Sequence, residues 1–475
     1  MGTKRRRGGD GGMEENTMAI LDTSCFSKST QHIADDRLSF LEAVRSGFLV
    51  PENASAPTNK MYKAIFQILK VENSLDLIMS SYQLLLELDK RFPQVYLSVA
   101  ENSESSSPSP SSPQRNELVV VEEAWFPFSF GPDVSSCEKQ DLDKVGGSLD
   151  ATAFLLLIED LAKVADEANS KTLDSKPLRN MLLFQYLVNV LEGDFVPRNL
   201  AFTESLDWIY LRESLLNMIL VSRKIAYKGL IQNCLSAICE LSQFSMDCSH
   251  DMRSPETGSA EVTGKRHTAF AIALPEIVKC TCVAVQKLLL MIIELDSSKK
   301  TADMDGRTTR VDGVRTPAIE MILDELTYDK NILFPFFQAL DKPRLKLDMI
   351  VQYLLKYIPK TSVRTRRSNG STNDSTFGGV LKCFSNGNST KSIVKKISTE
   401  VAELLLAQAF QAYISLPSQH STEYKEDIAG NSLPEICNNM ISAFTCLKKT
   451  DEHTGILPFG KEALFTAAIM LSRSS

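Results

Sequence analysis

The sequence contains few of the residues and motifs on which catalysis usually depends. Its 475 residues include five histidines, all in polar or loop-like segments without a nucleophile elbow nearby. Neither a Gly-x-Ser-x-Gly turn nor a Gly-x-Gly-x-x-Gly loop occurs, so hydrolase and dinucleotide-enzyme functions have no local support. We therefore predict a protein that is not an enzyme and has no catalytic residue, cofactor, metal ion or small-molecule substrate.

Long apolar runs and an excess of positive charge are also missing. No segment approaches the roughly 18 consecutive apolar residues that a membrane-spanning helix needs. The 52 basic and 59 acidic residues give a net charge of -7, which argues against a chain that mainly coats phosphate. The basic run Lys4–Arg7 has no apolar stretch behind it, unlike a secretory signal. The ten scattered cysteines favour reduced thiols in the cytosol or nucleus over a disulfide framework.

Two sets of residues resemble ligand sites but lack the required spacing. In Gly258–Lys265 five residues separate the two glycines, where a phosphate loop requires four, and Arg266 replaces the hydroxyl residue. Three cysteines and a histidine could be taken as zinc ligands, namely Cys234, Cys239, Cys248 and His250. The first two cysteines are five positions apart in helical sequence, which favours buried thiols over a zinc-binding turn.

The chain divides into an N-terminal tail and a long helical region. Residues 1–34 are rich in glycine, serine, threonine and charge, so we expect a disordered tail there. From residue 35 to 475 apolar residues recur at intervals of three and four, as at Leu38, Leu41, Val44 and Phe48, which predicts successive helices. Polar segments at about residues 101–117, 249–268 and 361–391 are predicted to be disordered insertions. The first contains three Ser-Pro pairs, which fit either kinase sites or a solvated spacer.

Several helical segments are apolar on more than one face, among them Phe154–Val164 and Gln286–Leu295. Such helices are enclosed by neighbours rather than lying on a surface. We therefore predict an all-α fold of stacked helices, similar to an armadillo or HEAT array, although the sequence shows no clean repeat. The run Leu118–Val121 has the composition of a strand, but we give it little weight because one isolated strand cannot stabilise a sheet.

The most distinctive segment is Arg310–Lys330, RVDGVRTPAIEMILDELTYDK. Thr316 is predicted to cap a helix that starts at Pro317, where the fixed φ and missing N–H of proline cost least. Near this helix N-terminus, where the helix dipole disfavours positive charge, the sequence places Arg307, Arg310 and Arg315. These arginines are candidate contacts for a partner or a phosphate. Their acidic counterpart is expected either outside the chain or within it, at Asp303, Asp305 or Asp312.

A second basic cluster follows the helical segment that ends before Pro359. It consists of Lys360, Arg364, Arg366 and Arg367. These side chains are candidate contacts for a partner or for DNA, although basic runs in loops are often simply solvated. No aromatic residues alternate with the arginines, so sequence-specific reading of bases is not expected. A candidate nuclear import signal is formed by Lys4, Arg5, Arg6 and Arg7.

Five long blocks have distinctive amino-acid sequences. They are RLSFLEAVRSGFLVPENASAPTNKMYKAIFQILK, RVDGVRTPAIEMILDELTYD, LKYIPKTSVRTRR, ISAFTCLKK and ILPFGKEALFTA. These blocks resemble the plant family of negative regulators of systemic acquired resistance, and the resemblance covers most of the chain from Asp36 onward. It implies a nuclear, helical, armadillo- or HEAT-like protein that restrains defence-gene expression and homologous recombination.

The resemblance also implies partners. The family is expected to act as a non-enzymatic scaffold subunit of the Smc five-six complex, in contact with Smc-type and non-SMC-element subunits, and to take part in the DNA damage response. The resemblance to this family implies no catalytic residues. The alternative is a DNA-associated transcriptional corepressor that uses the local basic clusters, with indirect or non-specific DNA association.

Overall fold

A computed structural model describes residues 11–23, 30–52, 54–99, 116–130, 148–163, 175–251, 263–309, 312, 315–340, 342–358, 376–416, 432–451 and 455–474. Contacts between residues divide the chain into two compact units, Met1–Met321 and Ile322–Ser475. Helix α11, Ala318–Tyr328, begins in the first unit and ends in the second.

The first unit is mainly helical. Its helices are α1 Gly11–Thr23, α2 Thr30–Phe48, α3 Asn59–Val71, α4 Leu75–Arg91, α5 Ala151–Leu161, α6 Ser175–Ser205, α7 Ile209–Arg212, α8 Leu215–Val221, α9 Tyr227–Asp251 and α10 Thr263–Met304. The two longest, α6 and α10, pack against each other, and α9 packs on α10. Helices α3 and α4 pack together, and α4 also contacts α6. Large side chains are fully buried between these helices, including Phe66, Phe154, Phe184, Tyr186 and Phe195.

A two-stranded antiparallel sheet packs on α6 in the first unit. Strand β1, Val95–Val99, pairs with β2, Asn116–Val120, so that Val95 lies opposite Val120. The sequence indicated a strand at the second position, but β1 was missed because it has only five residues directly after α4 and Pro93. Because β1 was missed, β2 was taken for an isolated strand and given little weight. That interpretation was wrong, since β1 supplies the partner that an isolated strand lacks.

The described part of the second unit consists of helices and short connections, without a strand. It continues from the end of α11 with α12 Lys330–Ala339, α13 Pro343–Leu355, α14 Phe377–Phe384, α15 Gly387–Ile397, α16 Thr399–Ile414, α17 Leu433–Thr450 and α18 Pro458–Ser474. Helix α13 packs on α16, and α17 packs on α14 and α18. The fully buried large side chains of this unit include Phe337, Tyr353, Phe377, Phe384 and Phe410.

The predicted all-α fold of stacked helices is confirmed. The prediction that Gln286–Leu295 is enclosed is confirmed, because Leu288 and Ile292 of α10 are fully buried. The same prediction for Phe154–Val164 was wrong, since α5 buries Ile158 but leaves Leu156 54% exposed. In the part of the chain that the structure describes, no helix combines the length and apolarity required to cross a bilayer.

Several predicted boundaries are corrected by the structure. Helix α1 and the start of α2 lie within the predicted tail 1–34. Helix α9 extends to Asp251 and α10 begins at Thr263, so both enter the predicted insertion 249–268. Helix α14 and part of α15 lie within the predicted insertion 361–391, because the apolar residues of FGGVLKCF form a buried helical face. The rest of these segments, and residues 101–115, lie outside the described residues.

Candidate functional site

The carboxylate of Asp296, on α10, fixes the helix of the distinctive segment. The Arg315 Nε donates to Asp296 Oδ1 at 2.8 Å, and the Arg315 Nη2 lies 2.6 Å from the same oxygen. The backbone N–H of Ala318, the first residue of α11, donates to Asp296 Oδ2 at 2.8 Å. The Tyr227 hydroxyl, at the start of α9, donates to Oδ2 at 2.7 Å. One side chain therefore joins the beginnings of α9 and α11 to the C-terminal part of α10.

This cluster is shielded from solvent, which strengthens the attraction between its charged groups. The side chains of Asp296 and Arg315 are only 7% and 17% exposed. The Arg315 guanidinium lies 4.7 Å from the centre of the Tyr227 ring, within cation–π range. Burial, followed by the negative charge of Asp296, raises the pKa of Tyr227, so that its hydroxyl remains a neutral donor.

The expected acidic partner of Arg315 is Asp296 rather than Asp303, Asp305 or Asp312. The predicted helix start was also wrong, because α11 begins at Ala318 and its first N–H bonds to Asp296 instead of to Thr316. The sequence feature that could have pointed to Asp296 is its position directly after the apolar run that ends at Leu295. Sequence periodicity alone does not distinguish a buried carboxylate at the end of such a run from an exposed one.

Asp312 belongs to a second charged group next to α10. Its carboxylate accepts a hydrogen bond from the Thr309 backbone N–H at 2.7 Å and lies 3.6 Å from the Arg212 Nε. Burial alone would raise the pKa of Asp312, but the hydrogen bonds from Thr309 and the charge of Arg212 outweigh it and lower the pKa. The Lys299 Nζ donates to the Asp312 backbone carbonyl, and burial, followed by the charge of Arg315, lowers the pKa of Lys299.

The structure places only two of the predicted contact residues. Arg315 is engaged by Asp296, whereas Arg307 is exposed next to Gly306, which has a φ of 67°. The other predicted contacts lie outside the described residues, namely Arg310, Lys360, Arg364, Arg366 and Arg367. The same holds for the candidate import signal, Lys4, Arg5, Arg6 and Arg7.

Two other buried carboxylates are used in the same way as Asp296. Asp194 of α6 accepts from the Leu215 N–H, at the start of α8, at 2.7 Å and pairs with the Arg198 Nε at 2.8 Å. In the second unit, Glu403 of α16 accepts from the Leu457 N–H, just before α18, at 2.6 Å. Burial raises the pKa of Asp194 and of Glu403, and the hydrogen bonds each accepts oppose this rise. Sequence reasoning identified neither residue, since both lie in helical sequence far from the helix they hold.

No group of three or more His, Cys, Asp and Glu side chains is arranged to hold a metal within the described residues. Cys234 and Cys239 are buried, as the core-thiol interpretation expected. The side chains of Cys248 and His250 lie outside the described residues, as do those of the other four histidines, so the absence of metal and catalysis stays a prediction.

A cavity of about 570 Å³ lies beside the Arg212–Asp312 pair in the first unit. Its charges are largely compensated, because the Lys224 Nζ also lies 3.4 Å from an Asp150 carboxylate oxygen. A second cavity of about 620 Å³ lies between α4, β1, residues 125–127 and α6.

Comparisons with known proteins identify the family of the chain. The SNI1 middle domain family matches residues 94–342, and the SNI1 C-terminal domain family matches residues 358–475. The chain is 44% identical over 472 residues to the protein named negative regulator of systemic acquired resistance SNI1 from Arabidopsis thaliana, a match that covers 99% of this chain and 97% of that protein. No solved structure matches the chain significantly. Since both family domains and a nearly end-to-end relative agree with the five sequence blocks, the chain belongs to the SNI1 family.

Proposed function

We propose that this chain is a non-enzymatic nuclear scaffold subunit of the Smc five-six complex. In this role it negatively regulates systemic acquired resistance and defence-gene transcription, and takes part in the DNA damage response and homologous recombination. The observation that carries the regulatory part is the nearly full-length identity of 44% to a protein named as a negative regulator of systemic acquired resistance.

The arrangement of buried charges supports a scaffold rather than an enzyme. Asp194, Asp296 and Glu403 each accept from a backbone N–H next to a helix start, so their charge stabilises the packing of helices. The large exposed apolar side chains are also suited to protein contacts, among them Phe465 of α18, which is 69% exposed.

Purification of the tagged chain from plant nuclei tests the scaffold proposal. Smc-type and non-SMC-element subunits are expected in stoichiometric amounts after washing at moderate salt. If neither class of subunit is recovered from nuclei in which the tagged chain complements a loss of the native one, the scaffold proposal is wrong.

Nuclear localisation has its own test. Replacement of Lys4, Arg5, Arg6 and Arg7 by alanine in a fluorescent fusion is expected to reduce the nuclear fraction. The matched control neutralises Lys448 and Lys449, two exposed lysines in the last turn of α17. An unchanged distribution in the first variant would show that this run is not the import signal.

The corepressor alternative makes a different prediction. Direct DNA binding through the second basic cluster would fall steeply with salt and would weaken when Arg364, Arg366 and Arg367 are neutralised together. Unchanged affinity in the triple variant would exclude this alternative. Arg315 is not available for such a contact while it is paired with Asp296.

A further inference from the structure

The cavity between α4 and α6 has a carboxyl group on one wall and aromatic rings on another. Asp89 of α4 and Tyr186 of α6 line it together with Trp125 and Phe126. Its volume of about 620 Å³ is in the range of pockets that enclose a ligand or a large side chain.

Asp89 has an unused hydrogen-bond acceptor. Its Oδ2 is buried and has no hydrogen-bond partner among the described residues. The Tyr186 hydroxyl donates to the same carboxyl group, and the nearby Tyr62 hydroxyl is likewise buried without a partner. A buried polar atom without a partner costs roughly 1–3 kcal/mol. Because Asp89 lines the cavity, a donor that enters it and reaches this oxygen would remove this cost.

The neighbouring carboxylates are already paired with cations. The Lys287 Nζ lies 2.8 Å from Glu192, and the Arg198 Nε lies 2.8 Å from Asp194. No lysine or arginine of the described residues forms such an ion pair with Asp89, and burial, partly opposed by the Tyr186 hydrogen bond, raises its pKa to about 7. At slightly alkaline pH this carboxyl group is therefore mostly ionised and lacks a cation.

Gly193 is an exposed residue that lines the cavity. It lies inside α6, where glycine costs about 1 kcal/mol relative to alanine. A Cβ at this position would meet nothing within 4 Å, so no close packing within the described residues requires the glycine. Because Gly193 lines the cavity, a longer side chain there would occupy the space in front of it.

Trp125 and the rim of the cavity fit a basic residue flanked by apolar ones. The Trp125 ring stacks on Tyr62 with centroids 6.1 Å apart and meets Phe66 edge-on at 5.4 Å, so the indole is held in a fixed position at the cavity. Aromatic faces attract lysine and arginine cations. At the rim, Val196 is 43% exposed and Leu200, one helical turn further along α6, is 48% exposed.

We propose that this cavity binds a lysine or arginine side chain of a partner polypeptide, with the cation at Asp89 and apolar flanking residues on Val196 and Leu200. The proposal goes beyond the scaffold function and does not depend on it. It assigns a recognition site to the first unit whichever complex the chain joins.

Nuclear magnetic resonance of the full chain tests the proposal through its two indole signals. Trp125 lines this cavity and Trp208 lines the other, so the two signals report on separate sites and are assigned with Trp125→Phe. The probes are N-acetyl-arginine methylamide, its uncharged norleucine analogue, and a blocked Val-Leu-Arg-Leu-Val peptide. At pH 8 the arginine probe is expected to shift the Trp125 signal and leave Trp208 unchanged, and the peptide is expected to bind at least tenfold more tightly.

Two pairs of variants separate binding from folding. Gly193→Leu should abolish the shift, whereas Gly193→Ala, which leaves the cavity open, should retain it. Asp89→Asn should weaken the arginine probe at least tenfold and leave the norleucine probe unchanged, with circular dichroism confirming that each variant is folded. No shift at 20 mM probe, equal binding of arginine and norleucine, or undiminished binding by Gly193→Leu would each overturn the proposal. A peptide no tighter than the single residue would show that the site takes a small cation, which also contradicts it.

Discussion

Asp194, Asp296 and Glu403 show how this protein uses a buried carboxylate. Each accepts a hydrogen bond from a backbone N–H at or next to a helix start, in a part of the chain well separated in sequence. The first N–H groups of a helix have no partner within it, and the helix dipole favours negative charge there. The cost of burying the carboxylate is therefore offset by a helix end that would otherwise be unsatisfied.

The Arg315–Asp296 pair gives the first prediction. Arg315→Met preserves much of the side-chain volume but leaves Asp296 buried without its cation, and we expect a loss of roughly 2–4 kcal/mol in the free energy of unfolding. The double variant Arg315→Met with Asp296→Asn should lose less than the sum of the single changes. Urea unfolding measures both, with Arg307→Met, at an exposed position, as a control that should change stability by less than about 0.5 kcal/mol.

Asp89 gives a prediction of pH dependence. Burial raises its pKa to about 7, compared with about 4 in an unfolded chain, so between these values the folded protein holds a proton that the unfolded chain has lost. The contribution of Asp89 to stability therefore falls as the pH rises from about 4 to 7. We expect Asp89→Asn to be more stable than the wild type by roughly 1–3 kcal/mol at pH 8 and to show no gain at pH 4.

Urea unfolding at the two pH values, followed by Trp125 fluorescence, measures this difference. The control is Glu87→Gln, an exposed change on the same helix that removes only a surface ion pair with Arg45 at 3.5 Å. It should change stability by less than about 1 kcal/mol at both pH values. If Asp89→Asn changes the free energy of unfolding equally at pH 4 and pH 8, the ionisation of buried Asp89 is not the cause of the pH dependence.

At the scale of helices, periodicity predicted most of what the structure shows. The predicted segment Gln286–Leu295 lies inside α10, because a helix enclosed by neighbours carries a long run of apolar residues. The charged contacts that hold helix starts were not predictable in this way. Asp194 and Leu215 are 21 positions apart, and Glu403 and Leu457 are 54 apart, so only the tertiary fold brings them together.

Helix α14 was missed for a different reason. Its eight residues follow a polar, basic segment, and two glycines at its start lower its helix propensity. The structure shows Phe377, Val380, Leu381 and Phe384 fully buried, and the Thr376 hydroxyl accepts from the Gly379 N–H at 3.2 Å. A short helix of this kind is stabilised by tertiary packing and by its cap rather than by intrinsic propensity.

Gly460 gives the prediction at the element scale. It lies near the start of α18, where an added Cβ would be 2.8 Å from the Phe444 ring and closer still to the Glu403 carboxylate that holds the Leu457 N–H. Gly460→Ala should therefore destabilise the second unit by roughly 1–3 kcal/mol. Gly455→Ala, where a Cβ would meet nothing within 4 Å, is the matched control. Equal melting temperatures of the two variants would show that the α16–α18 contact tolerates the added methyl group.

At the scale of the whole molecule, the compact units and the family domains divide the chain differently. The SNI1 middle domain covers residues 94–342, whereas the contact boundary at Met321 and Ile322 falls inside α11. Stacked helices mainly contact their neighbours, so contact density changes gradually along such a fold. Because α11 belongs to both units, a chain break within it would remove residues from each core.

Two buried cysteines allow the stability of each unit to be measured separately in the full chain. Cys234 of α9 and Cys437 of α17 are fully buried, and burial raises the pKa of both, to about 12 for Cys234. At pH 8 neither thiol should react with a maleimide until its surroundings open, whereas the exposed Cys280 should react at once. Gly460 and Cys437 lie in the same unit, so Gly460→Ala should accelerate labelling of Cys437 more than that of Cys234. Arg315 and Cys234 lie in the other unit, so Arg315→Met should accelerate labelling of Cys234 more than that of Cys437. Peptide mapping by mass spectrometry measures each rate, and equal acceleration of both cysteines in both variants would show instead that the two units open as one.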